Sequence, residues 1–122
     1  MDLNLSGKKV LVTGSSRGIG LQIAKQFSSE RCRVILNGRT KISQDVVDNV
    51  PGSSAVVGDI SDELGAKKVI EESVKKLQGL DILVCNVGSG RSVKPGQENI
   101  KAWKDAFDIN FFTTTCAVEA AK

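Results

Sequence analysis

Three glycines, Gly14, Gly18 and Gly20, lie within LVTGSSRGIGLQIAKQF (residues 11–27), where an apolar run gives way to helical periodicity, and Arg17 stands among them. A chain that bends sharply from strand to helix needs a residue without Cβ at the bend, which Gly14 supplies. Gly18 lets a diphosphate approach the backbone, where free amides and the helix dipole attract negative charge. Gly20 lets the helix pack closely on the strand. A merely flexible turn is the plainer reading of three glycines, and their position between strand and helix is what weighs against it. A phosphate loop ending in Gly-Lys-Ser/Thr has no match in the chain. Roughly 20 residues beyond such glycines, dinucleotide folds that select NAD place a carboxylate against the ribose 2′-hydroxyl. Here the stretch is Asn37-Gly38-Arg39-Thr40, without an acid. A guanidinium pairs well with a 2′-phosphate, so Arg39, with Arg17 approaching from the glycine turn, points to NADP. Two solvated surface arginines are the alternative.

The elements that must hold these residues alternate along the chain. Residues 8–13 (KKVLVT), 33–37 (RVILN), 54–58 (SAVVG) and 81–86 (DILVCN) are short, nearly continuous apolar runs, the pattern of strands covered on both faces. Helices are predicted from Ile19 to about Glu30, over 41–50 before Pro51-Gly52, from an N-cap at Ser61 to Gly79, and from Ile100 towards Lys122. In the third of these, Leu64, Val69, Ile70, Val74 and Leu77 form the apolar stripe, and Glu71–Lys75 and Glu72–Lys76 are spaced for ion pairs on a wet face. A loop rich in Gly, Ser and Pro fills 88–98, and mobile surface is the first reading of it. Strand and helix repeated four times imply an α/β fold, a doubly wound Rossmann-like parallel sheet of order 3-2-1-4. Ligands of such sheets bind at the strands' carboxyl ends beside the switch point, here residues 13–20 and 86–88.

Composition narrows the alternatives. The 122 residues amount to one modest domain, and the formal charge of +3 is spread without a basic run, which argues against nucleic acid. No apolar stretch approaches the roughly 18 residues of a membrane span, and no signal peptide opens the chain, so a cytoplasmic protein without membrane contact is expected. Cys32, Cys85 and Cys116 are odd in number and accompanied by no histidine. Neither a disulfide framework nor a metal site is expected, and all three read as small buried hydrophobes.

The spacing Thr13-Gly14-x-x-x-Gly18-x-Gly20, followed by Asp59-Ile60, Asn86-Val87-Gly88 and Asn110 within FDINFF, resembles the short-chain dehydrogenase/reductase family over essentially the whole chain. Val87 replaces the alanine usual there, which bears on local packing. The resemblance implies that Asp59 and the backbone of Ile60 approach the adenine and that Asn86 and Gly88 lie near the cofactor ribose, and Ser16 and Ile19 are counted with the glycines as cofactor-binding residues. Asp59 as a turn or capping residue, Ser16 as a brace for its own loop and Asn86 as a strand-end brace are competing readings. The resemblance further implies hydride transfer between NADP and a small carbonyl or alcohol substrate, a 3-oxoacyl thioester being one candidate.

In this family a tyrosine, a lysine four residues later and a serine carry the chemistry, and an asparagine organises a proton-relay water. The asparagine matches Asn110, the one catalytic candidate, although its side chain reads equally as a bridge at a helix irregularity. The chain contains no tyrosine. Residues 1–122 are therefore expected to be the dinucleotide-binding N-terminal half of a longer enzyme, truncated after Lys122 and inactive alone. A non-catalytic dinucleotide-binding or regulatory module is the alternative. Trp103, Phe107, Phe111 and Phe112 are expected as core or interface anchors, and a homo-oligomer is expected of the intact protein.

Overall fold

The computed structural model describes residues 1–91 and 93–122. Four parallel strands, β1 (Lys9–Val12), β2 (Arg33–Gly38), β3 (Ser53–Val57) and β4 (Ile82–Val84), are arranged in the order β3-β2-β1-β4. Helices α1 (Gly18–Ser29), α2 (Gln44–Asp48) and α3 (Glu63–Leu77) connect them. After β4 come α4 (Ile100–Phe107), a π-helical turn (Asp108–Phe112) and α5 (Thr113–Ala121), whose backbone stays helical through both junctions.

Alternation along β1 and β2 explains why their sequences are apolar throughout. Val10, Val12, Val34 and Leu36 pack on one side with Ala24, Ile42 and Val50, beneath α1 and α2. Leu11 and Ile35 pack on the other side with Val56, Ala66, Val69, Ile70 and Leu77, beneath α3. α5 closes that second layer through Cys116, Ala120 and Ala121. β4 is at the edge of the sheet, and its three residues are only half-buried.

Helix ends show where local chemistry differs from expectation. The N-cap of α3 is Asp62, not Ser61: the Asp62 carboxylate accepts from Gly65 N–H at 2.6 Å. Ser61 is already drawn into a turn, its N–H donating to Asp59 Oδ1 at 2.9 Å. Ser43 and Asn99 cap α2 and α4 in the same way, accepting from Asp45 and Ala102 N–H. At the C-terminus of α3, Gln78 takes the left-handed conformation ahead of Gly79. Cations gather there: Arg33 donates to the carbonyls of Leu77 and Lys76 at 3.0 and 3.1 Å, and Lys9 Nζ donates to Gln78 O at 2.8 Å. These bonds fasten the amino ends of β1 and β2 to α3.

On the wet face of α3, Lys76 Nζ reaches Ala55 O at 2.8 Å instead of pairing with Glu72, and Glu72 lies 3.9 Å from Lys68. Leu64, in the first turn, is exposed, so the apolar stripe begins at Ala66. Cys32 is buried, whereas Cys85 and Cys116 are half-buried. Trp103, Phe107, Phe111 and Phe112 are not core: each is about half exposed, and the three phenylalanines meet edge to face in sequence. They face outward because α5, rather than α4 or the π turn, supplies the contacts to the second layer. Among the described residues no helix is long and apolar enough to cross a membrane.

Asp62→Ala is expected to lower stability by about 1 kcal/mol and Arg33→Ala by about 1–2 kcal/mol, read as lower urea midpoints at unchanged slope. An unchanged midpoint for Arg33→Ala would contradict its role at the α3 terminus.

Candidate functional site

The bend after β1 is held from both neighbouring strands by buried polar groups. On the β4 side, Thr13 N–H donates to Val84 O at 3.0 Å, Asn86 N–H donates to Thr13 Oγ1 at 3.0 Å, and Asn86 Nδ2 donates to Gly14 O at 3.0 Å. On the β2 side, Gly14 N–H donates to Asn37 Oδ1 at 3.2 Å and Ser15 N–H to Asn37 O at 2.8 Å. Ser15 Oγ accepts from Asn37 N–H at 2.9 Å and donates to Val12 O at 2.7 Å. Thr13, Ser15 and Asn37 are all buried, with their polar atoms satisfied.

The glycines do separate jobs in this frame. Gly14 and Gly18 both sit at φ +61°, where other residues are strained. A Cβ on Gly20 would collide with Gly14 O and come within 2.5 Å of Asn86 Nδ2, so the residue's smallness lets α1 abut the bend. Val87 takes part in the same packing, since a Cβ on Gly14 would lie 2.8 Å from its Cγ2. A Cβ on Gly18 would meet nothing within 4 Å.

The start of α1 is unlike that of α2, α3 and α4. Its N-cap is Arg17 and no side chain caps it, and its first turn, like that of α4, carries no acid. The first amides of any helix lack intrahelical acceptors, and here they meet the positive end of the dipole with Arg17 beside them. That is a local field suited to an anion.

A cleft of about 290 Å³ opens in front of this turn, over the carboxyl ends of the strands. Gly14, Ser16, Arg17, Arg39, Asp59, Ile60, Asn86 and Gly88 all line it, as do Asn37 and Ile109. Gly18 and Ile19 border the neighbouring outer surface of α1, and Gly20 is buried behind the turn. Arg17 and Arg39 are exposed at the cleft. Ser16 approaches the end of β2: its Oγ would be 3.3 Å from a Cβ on Gly38.

Two candidates have a structural bond that accounts for much of their placement. Asp59 builds the turn before α3, and hydrogen bonds from Ser61 hold its carboxyl below the usual range against the smaller opposing effect of burial, with the charge of Arg39 adding least. Its carboxylate is therefore ionised at neutral pH, and the bond it contributes weakens only on acidification through that lowered value. Asn110 lies in the π turn, and its Oδ1 accepts from Ser89 N–H at 2.7 Å. Thr113 Oγ1 donates to Ile109 O at 2.9 Å, the fourth residue back. Asn110 thus ties the loop after β4 to the helix irregularity, and like Gly18, Ile19 and Gly20 it is absent from the lining of the cleft. Burial raises the Cys85 thiol, and burial together with Glu30 raises that of Cys32, so neither is activated as a nucleophile.

Sequence reasoning missed Asn37, Ser15 and the hydroxyl of Thr13 as the frame of the site. The one available signal was polar residues at the ends of two otherwise apolar strands, VLVTGS and VILNG.

A family model described as short chain dehydrogenase matches residues 8–122. A glucose 1-dehydrogenase of Gluconobacter oxydans is 44% identical over 89 residues, covering 68% of this chain and 34% of its own. A 3-oxoacyl-(acyl-carrier-protein) reductase of Aquifex aeolicus is 33% identical over 120 residues, covering 93% of this chain and 48% of its own. Among solved structures, a dehydrogenase/reductase from Sinorhizobium meliloti 1021 superposes with a TM-score of 0.90 at 31% identity, over 98% of this chain and 50% of that one. A short chain dehydrogenase from Burkholderia cenocepacia J2315 in complex with NADP gives 0.86 at 28% identity, over 96% and 50%. An NADH-dependent reductase complexed with NAD gives 0.89 at 22% identity, over 99% and 53%, a likeness of fold alone. The chain thus spans from about a third to about a half of the length of the proteins it matches. With the sheet order, the glycine bend and a family match running from residue 8 to residue 122, the chain belongs to the short chain dehydrogenase family.

Proposed function

We propose that this chain binds NADP and forms the dinucleotide-binding half of an oxidoreductase that moves a hydride between the nicotinamide and a carbonyl or alcohol substrate. The observation that carries the reading is a helix N-terminus without a capping side chain, whose N-cap Arg17 lines one cleft together with the exposed Arg39. The residues present fit the group: the free first-turn amides suit a diphosphate, Gly18 leaves space against the backbone, and the end of β2 offers a guanidinium where a carboxylate would favour NAD.

NADPH, when bound, would supply the hydride, and NADP⁺ would accept it in the reverse direction. The α1 amides would hold the diphosphate, and Arg39 with Arg17 would neutralise the 2′-phosphate. Asp59 and the Ile60 backbone would border the adenine, and Asn86, which also fixes the bend, would flank the ribose with Gly88. Asn110, anchored to Ser89, would position the water of a proton relay. The tyrosine, lysine and serine of the family's chemistry belong, on this reading, to protein outside these residues, since the chain has no tyrosine. The relatives' names support a carbonyl or alcohol substrate, with a 3-oxoacyl thioester as one candidate. The exposed aromatics of α4 and the π turn support a homo-oligomer, and three free cysteines suit the cytoplasm. The missing tyrosine also favours a second reading, a non-catalytic dinucleotide-binding module. A Tyr-x-x-x-Lys encoded downstream of Lys122 decides for the enzyme, and a stop codon there decides for the module.

Arg39→Ala in the full-length gene product is expected to weaken NADP⁺ binding by about 10- to 100-fold, as loss of a charge-assisted contact does, while NAD⁺ binding stays nearly constant by calorimetry. Equal affinity of the unsubstituted protein for the two cofactors would overturn the assignment. Asn110→Ala is expected to lower kcat about tenfold or more with cofactor KM little changed; unchanged kcat would remove Asn110 from the relay.

A further inference from the structure

Asn37 sits at a junction that neither the glycine pattern nor the arginines account for. It is 2% exposed, and its side chain joins three strand ends. Oδ1 accepts from Gly14 N–H at 3.2 Å, and Nδ2 donates to Val56 O at 3.1 Å and Gly58 O at 3.3 Å. Just beyond β1 it holds Gly14, which opens the bend. Just beyond β3 it holds Gly58, which directly precedes Asp59, and at the end of its own strand it precedes Gly38 and then Arg39.

We infer that Asn37 is a positioning residue that sets the phosphate bend, Arg39 and Asp59 in one fixed spacing, so that the diphosphate and adenosine ends of the dinucleotide are gripped together. The inference rests on the proposed NADP reading. The main chain and side chain of Asn37 together consume the N–H groups of Gly14 and Ser15, which turns those two amides inward. The amides left to face an anion then begin beyond Ser15. A carboxamide meets the demand of the position, an acceptor on one side and two donated protons on the other, without net charge. An ionised carboxyl would accept from Gly14 but oppose Val56 O and Gly58 O. A protonated one would regain neutrality and one of the two donations, its single hydroxyl proton reaching one of the two carbonyls, and burial beside carbonyls favours that neutral form.

The test is NADP⁺ titration of the full-length protein and of Asn37→Asp, at pH 5.5 and pH 8.5, with folding checked by circular dichroism. The charged groups lining the same cleft are Arg17, Arg39 and Asp59, and Asp59, held below the usual carboxylate range, keeps its charge across this window. At pH 8.5 the variant is expected to bind about tenfold or more weakly than the unsubstituted protein, and at pH 5.5 to come within about threefold of it. A role confined to stability would lower the unfolding temperature and leave the affinity of the folded protein untouched. Affinity within threefold at pH 8.5, or a loss that pH 5.5 does not relieve, overturns the inference. If Asn37→Asp is unfolded at pH 8.5, Asn37→Ser decides: a loss of about tenfold in the folded variant supports the inference, and affinity within threefold overturns it. Failure of the unsubstituted protein to bind NADP⁺ overturns the NADP reading itself, together with what rests on it.

Discussion

The bend after β1 is a stretch of backbone turned so that some of its amides are spent on the protein and the rest are left outward. Everything at the cleft depends on that division. Gly14 and Ser15 give their N–H groups to Asn37, and Gly14 gives its carbonyl to Asn86. The helix that follows starts without a capping side chain, although α2, α3 and α4 all have one. An uncapped helix start costs roughly 1 kcal/mol against a capped one. A ligand anion would supply the missing partner, which is the physical basis of the phosphate binding proposed at the bend.

The rest of the fold serves to keep that bend still. Two apolar layers grip β1 and β2 from opposite sides, leaving their central side chains with no exposure. At the far end of the sheet, Arg33 and Lys9 pin the strands to the C-terminus of α3. At the near end, the buried Thr13, Ser15 and Asn37 and the half-buried Asn86 replace apolar packing with hydrogen bonds. Such bonds fix direction as well as distance, which apolar contacts do not. The loop after β4, which leaves this frame at Asn86, is tied to the π-helical turn through Asn110, so that the irregularity serves as an anchoring point.

Much of this was legible in the sequence. A strand buried on both faces must be apolar at every position, so β1 and β2 announced themselves, and alternation with helices left one common sheet order. The bend was legible because glycine at that spacing has few other uses. What escaped were features set by residues distant in sequence. Asn37 looks like the polar end of a strand until the fold brings Gly14 and Gly58, 23 and 21 residues away, against its side chain. Ser61 and Asp62 both suit an N-cap, and only the turn made by Asp59 selects between them. The aromatic residues of the last helix read as anchors by type, but their exposure is decided by which face α5 presents to the core.

The division of amides can be observed directly by amide ¹H–¹⁵N chemical shifts during titration with NADP⁺. The account predicts large shifts for Gly18, Ile19 and Gly20 as their amides meet the diphosphate, while Gly14 and Ser15, held by Asn37, move little. Shifts in Gly14 and Ser15 as large as those in the first turn of α1, or a silent first turn with the cofactor bound, would contradict it.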